Sequence, residues 1–350
     1  PAQDGHSEAM TNHPWLQPIV FADGRALPTR ILPGPMEGVT EGSFLSAMSK
    51  RHFVNAWFTP FLRISTAVPR RSRLQRWLEP YLRNGTPVIA QLMGVDSARL
   101  ASAAAILHGL GATCVDLNCA CPSPSVLSNG GGGKRLCDPD WITRTLNARR
   151  EPCGNRAISV KIRVGFDSPE ELPAIAAAIR NAKPALVFCH CRTVRELYRP
   201  ISDGRQRLAK ARDLLPDCLL IGNGDILCAD DAEAMRQKCA VDGVIAARGL
   251  LRNPALLRDI HDHCLDRPPT PLSDSERLDF LRDIADAPEQ GPGAKHGFVL
   301  RIAAGLYGHD SALFHELARC RNLRQANEYL HRLNANVAST AAPCIGKDPS

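Results

Sequence analysis

Eight short apolar segments recur along the chain and alternate with longer amphipathic stretches, and this alternation limits the folds open to it. The predicted strands are 30–35, 56–62, 87–93, 114–118, 158–164, 185–190, 218–223 and 243–247. The helices predicted between them include 97–110, 138–149, 169–181 and 229–239. Eight strands that alternate with helices indicate an α/β fold of the (β/α)8 TIM-barrel type. An open doubly wound sheet is the alternative, but the count of eight and the polar strand ends favour the barrel.

The pattern changes after the eighth predicted strand. The barrel is predicted over residues 30–264, and a proline-rich linker follows over 265–272. From there only helical periodicity and turns continue, which predicts a small all-helical carboxyl-terminal domain over 273–337. The remaining divisions are a partly disordered amino-terminal extension over 1–29 and a disordered tail over 338–350.

Composition excludes several classes of protein. No apolar run approaches the roughly 18 residues that a membrane helix needs, and no basic-then-apolar secretion signal opens the chain. The 13 cysteines are odd in number and contain no Cys-x-x-Cys pair, which favours reduced thiols in a cytoplasmic protein over a disulfide scaffold. The formal net charge of +7 permits an anionic partner and leaves nucleic acid open.

Polar side chains collect at the predicted strand ends, where a barrel places its catalytic groups. Gln91 ends the third strand and Asn118 the fourth, and each amide can donate and accept in one plane, as the edge of a heterocycle requires. Lys161 and Arg163 lie two residues apart on the fifth strand and share one face, taken to be the interior. His190 ends the sixth strand. Two cations inside a barrel require an anionic or electron-rich ligand.

The loop after the fourth strand carries Cys121, and the glycine run 130–133 follows it, with two cations after the run. A thiol at a strand end beside a basic loop suits acid–base or nucleophilic chemistry on an anionic ligand. The glycine run fails the Walker phosphate-loop pattern, because Arg135 replaces the required Ser or Thr, and we interpret it as a mobile loop. Zinc at 189–191 is disfavoured because alternation places the two thiols opposite the histidine, so no metal is expected.

The last two predicted strands end in short glycine-containing turns. Asn223, Gly224 and Asp225 follow the seventh strand, and Ala247 and Arg248 follow the eighth. Loops at these positions bind phosphate in barrels of this type through backbone N–H groups. The whole arrangement suits flavin mononucleotide (FMN). It would bind the phosphate at these turns, place a cation and an amide beside the ring, and place a thiol across from the ring.

With these residues in place, the chain resembles the tRNA-dihydrouridine synthases over roughly residues 30–335. The motifs that carry the resemblance are Pro35-Met36-Glu37-Gly38-Val39, Gln91-Leu92-Met93-Gly94, Asp116-Leu117-Asn118-Cys119-Ala120-Cys121-Pro122, Val160-Lys161-Ile162-Arg163, His190-Cys191-Arg192-Thr193, Asn223-Gly224-Asp225-Ile226 and Asp242-Gly243-Val244 through Arg248-Gly249. The Met-Glu-Gly start and the cysteine stretch followed by glycines are most similar to the bacterial C-type branch, which modifies uridine 16 in the D-loop.

The resemblance implies that NADPH reduces a tightly bound FMN and that a hydride then passes to C6 of a uracil extruded from tRNA. Cys121 stands where the family keeps its general acid and would protonate C5. The cofactor-binding residues that it implies are Pro35, Met36, Gln91, Lys161, His190, Asn223, Gly224, Asp225, Ala247 and Arg248. The substrate-binding residues are Asn118, Arg163, Arg192, Tyr198 and Arg301.

The resemblance also implies partners. The helical domain would form the second wall of a basic cleft for tRNA near its D-loop, with Arg319, Arg321 and Arg324 as further candidates and with the protein acting as a monomer. The alternatives are a flavin enzyme acting on another RNA, one acting on a small unsaturated metabolite, and a non-catalytic RNA-binding relative.

The chain departs from the usual family pattern at several positions. Gly34 replaces the alanine of an Ala-Pro-Met start, and Ala247 replaces the glycine before the phosphate arginine. Ala120 and Cys191 also replace glycines, and Ala303 replaces a lysine in the helical domain. We expect these positions to bear on FMN and RNA binding.

Overall fold

The computed structural model describes residues 13–40, 42–286 and 295–333. Its strands are β1 Ile19–Val20, β2 Ala26–Leu27, β3 Ile31–Pro33, β4 Trp57–Phe58, β5 Leu62–Ile64, β6 Val88–Gly94, β7 Cys114–Cys119, β8 Ala157–Arg163, β9 Leu186–His190, β10 Leu220–Asn223 and β11 Gly243–Ala246. Strands β3 to β11 pair in parallel in the order β3-β11-β10-β9-β8-β7-β6-β4, with β5 also beside β6. The first barrel strand therefore pairs with the last, and the predicted TIM barrel is confirmed.

Helices follow the strands and cover the outside of the barrel. They are α1 Gly42–Lys50, α2 Arg71–Leu82, α3 Ser97–Gly109, α4 Pro124–Leu127, α5 Pro139–Ala148, α6 Arg150–Cys153, α7 Leu172–Ala182, α8 Gly204–Leu214, α9 Ala229–Cys239 and α10 Leu256–Cys264. The strand residues that face outward are apolar and pack against the helices in one continuous core. No helix within the described ranges has both the length and the apolar character that crossing a membrane requires.

After the barrel, the described part of the chain forms four further helices: α11 Asp274–Asp286, α12 Lys295–Tyr307, α13 Ala312–Arg319 and α14 Leu323–Arg332. Phe280 of α11 packs edge-to-face on Phe44 of α1, with ring centroids 5.9 Å apart. Asp283 of α11 forms an ion pair with Lys50 of α1 at 2.8 Å. These contacts hold the carboxyl-terminal helices against the barrel, where a helical domain was predicted.

The second predicted strand, 56–62, is two strands in the structure. Trp57 of β4 pairs with Val88, and Leu62 of β5 pairs with Leu92 further along the same neighbour. Pro60 lies between them and has no N–H to donate to the ladder. The hydroxyl of Thr59 instead accepts a hydrogen bond from the Gln91 N–H at 2.9 Å, which bridges the break.

A hairpin that the sequence did not reveal closes the amino-terminal end of the barrel. Strands β1 and β2 pair antiparallel, and Ile19, Phe21 and Leu27 pack against the interior residues of the barrel strands. The indole N–H of Trp15 donates to the Val241 carbonyl at 3.1 Å and fixes the segment before the hairpin. The disorder predicted for the first residues and for 338–350 lies outside the described ranges.

Candidate active site

A cavity of about 920 Å³ opens at the carboxyl ends of the barrel strands. Among the described residues, five cationic side chains line it, together with the carboxylates Glu37 and Asp225. The cations are Arg63, Lys161, Arg163, Arg248 and Arg301. A cavity of this size with a positive lining suits an anionic, drug-sized ligand or larger.

A chain of hydrogen bonds runs under the cavity from a buried carboxylate to the Cys121 loop. The Gln91 amide donates from Nε2 to Asp116 Oδ2 at 2.8 Å, and its Oε1 accepts from Asn118 Nδ2 at 2.8 Å. Asn118 Oδ1 in turn accepts the N–H groups of Ala120 at 2.9 Å and Cys121 at 3.0 Å. Because an ionised carboxylate only accepts, Asp116 sets the orientation of both amides.

Asp116 is fully buried, and burial raises its pKa from 3.8 to about 6. Hydrogen bonds from Gln91 and from the Ser159 hydroxyl, at 2.7 Å, oppose that rise. Asp116 was not among the predicted site residues. The period-two alternation of β7, which puts residues 114, 116 and 118 on one face, was the signal that it belongs to the site.

The thiol of Cys121 lies in the cavity lining and is half-buried. Burial raises its pKa, while Arg163 and Lys161 act in the opposite direction. The thiol therefore keeps its proton at neutral pH and can serve as a proton donor. Ala120 beside it is not among the residues with positive φ in the described chain, so its methyl group imposes no backbone strain there.

The glycine run after Cys121, which we predicted to be a mobile loop, leads into a short helix that packs against the cysteine loop. Residues Gly132–Cys137 form a 3-10 helix, and the Gly133 N–H donates to the Cys121 carbonyl at 3.0 Å. A Cβ on Gly132 would lie 2.7 Å from Val126 Cγ1 and 3.0 Å from Cys121 Cβ. Gly132 and Gly133 leave no room for a side chain, because the chain packs directly beneath the cysteine loop at these two positions.

Lys161 and His190 stand on neighbouring strands, as predicted, and both line the cavity. Burial, followed by the Arg163 charge, lowers the pKa of Lys161 to about 8. Burial also lowers the pKa of His190 well below 6.5, and the surrounding cations lower it further. His190 is therefore a neutral imidazole at pH 7, able to donate from one nitrogen and accept at the other. Lys161 Nζ donates to Asn223 Oδ1 at 3.4 Å.

Arg163 braces two loops at the cavity. Its Nε donates to the Ala120 carbonyl at 2.9 Å, and its Nη1 donates to the carbonyls of Thr193 and Leu197 at 2.9 and 2.8 Å. These bonds use three of the five N–H donors of the guanidinium and leave the Nη2 pair for a ligand. The guanidinium also lies 5.3 Å from the centre of the Tyr198 ring.

Tyr198 is 52% exposed at the cavity although it is a large aromatic residue. Arg248 covers its ring at 4.8 Å, in addition to the contact with Arg163. Tyr198 is therefore an exposed aromatic ring beside two guanidinium groups, an environment in which a planar base can make aromatic and cation–π contacts.

Asp225 joins two of the predicted site arginines. Its carboxylate pairs with Arg192 at 2.6 Å and with Arg248 at 3.1 Å. Arg192 is 2% exposed, also donates to the Arg199 carbonyl, and is not among the cavity-lining residues. Its contacts make it a support for Asp225 behind the wall, whereas we predicted a substrate contact.

The turns after β10 and β11 approach each other closely enough to cradle a small anionic group. Gly224 has φ +139°, and a Cβ there would lie 2.4 Å from Cys191 Sγ. Ala247 precedes the 3-10 helix Arg248–Leu251, whose first turn has N–H groups without helical partners. Glycine backbone, these N–H groups and the Arg248 guanidinium fit a phosphate.

The remaining predicted site residues also line the cavity: Pro35, Met36, Asn223 and Arg301. Arg301 reaches it from α12. Arg319 and Arg324 lie on exposed helix surface outside the lining and pair with Glu316 and Glu328. Arg321 is exposed too. Arg63 was missed because the predicted second strand stopped at residue 62, whereas β5 continues to Ile64.

The thiols beside His190 lie away from the histidine side chain. Cys189 and Cys191 belong to the outer core, while the histidine faces the cavity. Across the described segments, no group of three or more His, Cys, Asp or Glu side chains could hold a metal ion.

The fold and the cavity together define a TIM-barrel enzyme with a cationic ligand site at the carboxyl ends of its strands. The family model described as dihydrouridine synthase matches residues 31–337, and the chain belongs to that family. The predicted resemblance is therefore confirmed, and with it the expectation of a flavin-dependent oxidoreductase.

The curated relatives agree with this assignment. The chain is 33% identical to the tRNA-dihydrouridine(16) synthase of Salmonella typhimurium over 235 residues, which cover 65% of this chain and 75% of that protein. It is 30% identical to the enzyme of the same name from Yersinia pestis over 318 residues, 87% of this chain and 99% of that protein.

Solved structures of low sequence identity share the fold. Histamine dehydrogenase from Rhizobium sp. 4-9 matches 77% of this chain and 50% of its own, with a TM-score of 0.54 at 13% identity. A complex of 2-naphthoyl-CoA reductase matches 73% of this chain and 53% of its own, with a TM-score of 0.55 at 11% identity.

Proposed function

We propose that this protein reduces uridine to 5,6-dihydrouridine in tRNA, with FMN as cofactor, NADPH as reductant and Cys121 as proton donor. The observation that carries the proposal is the position of a protonated, half-buried thiol in a cationic cavity that Gln91, Lys161 and His190 also line. Family membership supports the reaction. The names of the relatives support tRNA as the substrate and position 16 as the site.

The residues in the cavity fit a flavin phosphate ester. Asn223, Gly224, Ala247 and Arg248, with Asp225 positioning the arginine, would hold the phosphate. The ring and ribityl chain would contact the groups at the other strand ends, which are Pro35, Met36, Gln91, Lys161 and His190. When bound, FMN would carry reducing equivalents from NADPH to the base.

Cys121 supplies the proton that reduction of the uracil double bond requires. Its raised pKa keeps the thiol protonated. Its loop is fixed by two backbone N–H groups that donate to Asn118 Oδ1 and by the Gly133 N–H, which donates to the Cys121 carbonyl. The thiol would donate to C5 of the base and regain its proton from water through the open cavity mouth.

The groups near Cys121 can recognise an extruded base. Asn118 has a second Nδ2 proton beyond the one that it gives to Gln91, and Arg163 has its Nη2 donors. Both would donate to uracil carbonyls, while Tyr198 would stack on the ring. Arg301 would contact the RNA backbone where α12 meets the cavity.

The test is nucleoside mass spectrometry of unmodified tRNA transcripts incubated with the protein, FMN and NADPH. The native protein should form dihydrouridine, and Cys121→Ala should lose activity by about 10²- to 10⁴-fold while still binding FMN and tRNA. Cys137→Ala is the matched control, because Cys137 is exposed and outside the cavity lining.

Three further outcomes of this experiment test the modified position, the proton donor and the substrate separately. A transcript with cytidine at position 16 should yield no product if that uridine is the target. Full turnover by Cys121→Ala would exclude the thiol as the proton donor. A flavin that NADPH reduces, with no product on any tRNA, would exclude the tRNA substrate and favour a small unsaturated acceptor.

A further inference from the structure

Two small residues face each other where the first and last barrel strands meet at the cavity. Gly34 follows β3 and Ala247 follows β11, and the Gly34 N–H donates to the Ala246 carbonyl at 2.7 Å. A Cβ placed on Gly34 would lie 2.7 Å from the Ala247 Cβ and 3.3 Å from its Cα. Both residues line the cavity. The space between these strand ends therefore holds one methyl group, and Ala247 supplies it.

The turn that begins at Ala247 has close neighbours on other sides as well. A Cβ on Gly249 would lie 2.2 Å from the Ile226 carbonyl oxygen. The helix α12 packs equally closely against the end of the 3-10 helix Arg248–Leu251, because a Cβ on Gly305 would lie 2.0 Å from the Leu251 carbonyl oxygen. A methyl group added at Gly34 therefore cannot be accommodated by a free outward shift of the turn. Gly34 has no positive φ, so its constraint is one of space.

We propose that Gly34 and Ala247 form one coupled steric pair that positions the turn Ala247–Gly249, and that Gly34 is thereby a positioning residue for the cofactor phosphate. The positioning role rests on the proposed function, which places a phosphate at this turn. The steric pair concerns packing alone. Overfilling the space should displace the backbone N–H groups of the turn by more than a hydrogen bond tolerates.

A double-mutant cycle tests the pair. Gly34→Ala, Ala247→Gly and the double variant are compared by FMN titration of flavin-free protein and by thermal unfolding without flavin. Gly34→Ala should weaken FMN binding by about tenfold to a hundredfold and lower the unfolding midpoint. In the double variant, the FMN affinity and the unfolding midpoint should both return to the values of Ala247→Gly. The methyl group added at position 34 then occupies the space that the methyl group of Ala247 has vacated.

Gly297→Ala is the matched control, since a Cβ at Gly297 meets no atom of the described residues within 4 Å. Additive effects of the two substitutions on the unfolding midpoint would overturn the steric pair. Coupling in stability with no effect of Gly34→Ala on FMN affinity would overturn the positioning role. If the native protein binds no FMN, the proposed cofactor and the positioning role both fail, and the stability cycle still decides the packing claim.

Discussion

Replacement of Arg163 by methionine should destabilise the fold as well as the reaction. The guanidinium is 2% exposed and bonds the carbonyls of Ala120, Thr193 and Leu197, which lie on two different loops. Methionine preserves length and apolar volume but donates no hydrogen bond. The substitution therefore leaves three carbonyl oxygens without their partner.

The magnitude follows from where those carbonyls lie. Ala120 and Thr193 are buried, at 4% and 0% exposed, so each stranded carbonyl costs about 1–3 kcal/mol. Leu197 is 43% exposed and its carbonyl can be rehydrated, so it adds little. We expect the free energy of unfolding to fall by about 2–6 kcal/mol.

Urea unfolding of the flavin-free protein, followed by far-ultraviolet circular dichroism, measures this change. Arg195→Met is the matched control. Its side chain is 66% exposed and pairs with Asp167 at the surface, so it should cost about 1 kcal/mol or less. Arg163→Lys should fall between the two, because an ammonium cannot reproduce the guanidinium fork. A loss below about 1 kcal/mol in Arg163→Met would refute the bracing role.

Three further outcomes are expected. Burial raises the pKa of Asp116 to about 6, so the folded state binds more protons than the unfolded state between pH 4 and 6, and its stability falls as pH rises through this range. In urea unfolding, the stability of Asp116→Asn relative to the native protein should therefore increase from pH 4 to 7. Parallel dependences of the two stabilities on pH would contradict this. Gly132→Ala should disturb Cys121 and lower turnover, whereas Gly154→Ala, which is also at positive φ but has no described atom within 4 Å of its Cβ, should cost about 1–3 kcal/mol of stability and leave turnover unchanged. Equal turnover in both variants would contradict the packing argument. Phe21→Ala should cost about 3–5 kcal/mol in the same unfolding assay, because the ring plugs the barrel, and a loss below 1 kcal/mol would show that the hairpin is dispensable.

Much of the fold could be predicted because a barrel strand is encoded locally. A run of apolar residues that ends in a polar group or a glycine marks a buried parallel strand, and β6, β7 and β8 lie within a residue or two of their predicted bounds. The same local signal placed Gln91, Asn118, Lys161 and His190 at strand ends, and parallel strands bring their carboxyl ends to one face of a barrel.

Short elements escaped prediction because they carry too little periodic signal. Strands β1 and β2 have two residues each, and their pairing depends on contacts with the barrel interior, which no local pattern encodes. The glycine run 130–133 has the composition of a flexible loop. Its packing beneath the Cys121 loop depends on contacts that no local pattern encodes.

By itself, the sequence determined the barrel, the order of its strand ends and the identity of the groups that line the cavity. It showed Gly34 and Ala247 as two separate departures from the family pattern, one losing a methyl group and the other gaining one. Only the tertiary structure brings them to opposite sides of one space, so that each explains the other. The reason is physical: strand propensity acts between near neighbours in the chain, whereas excluded volume acts between whichever atoms folding brings together.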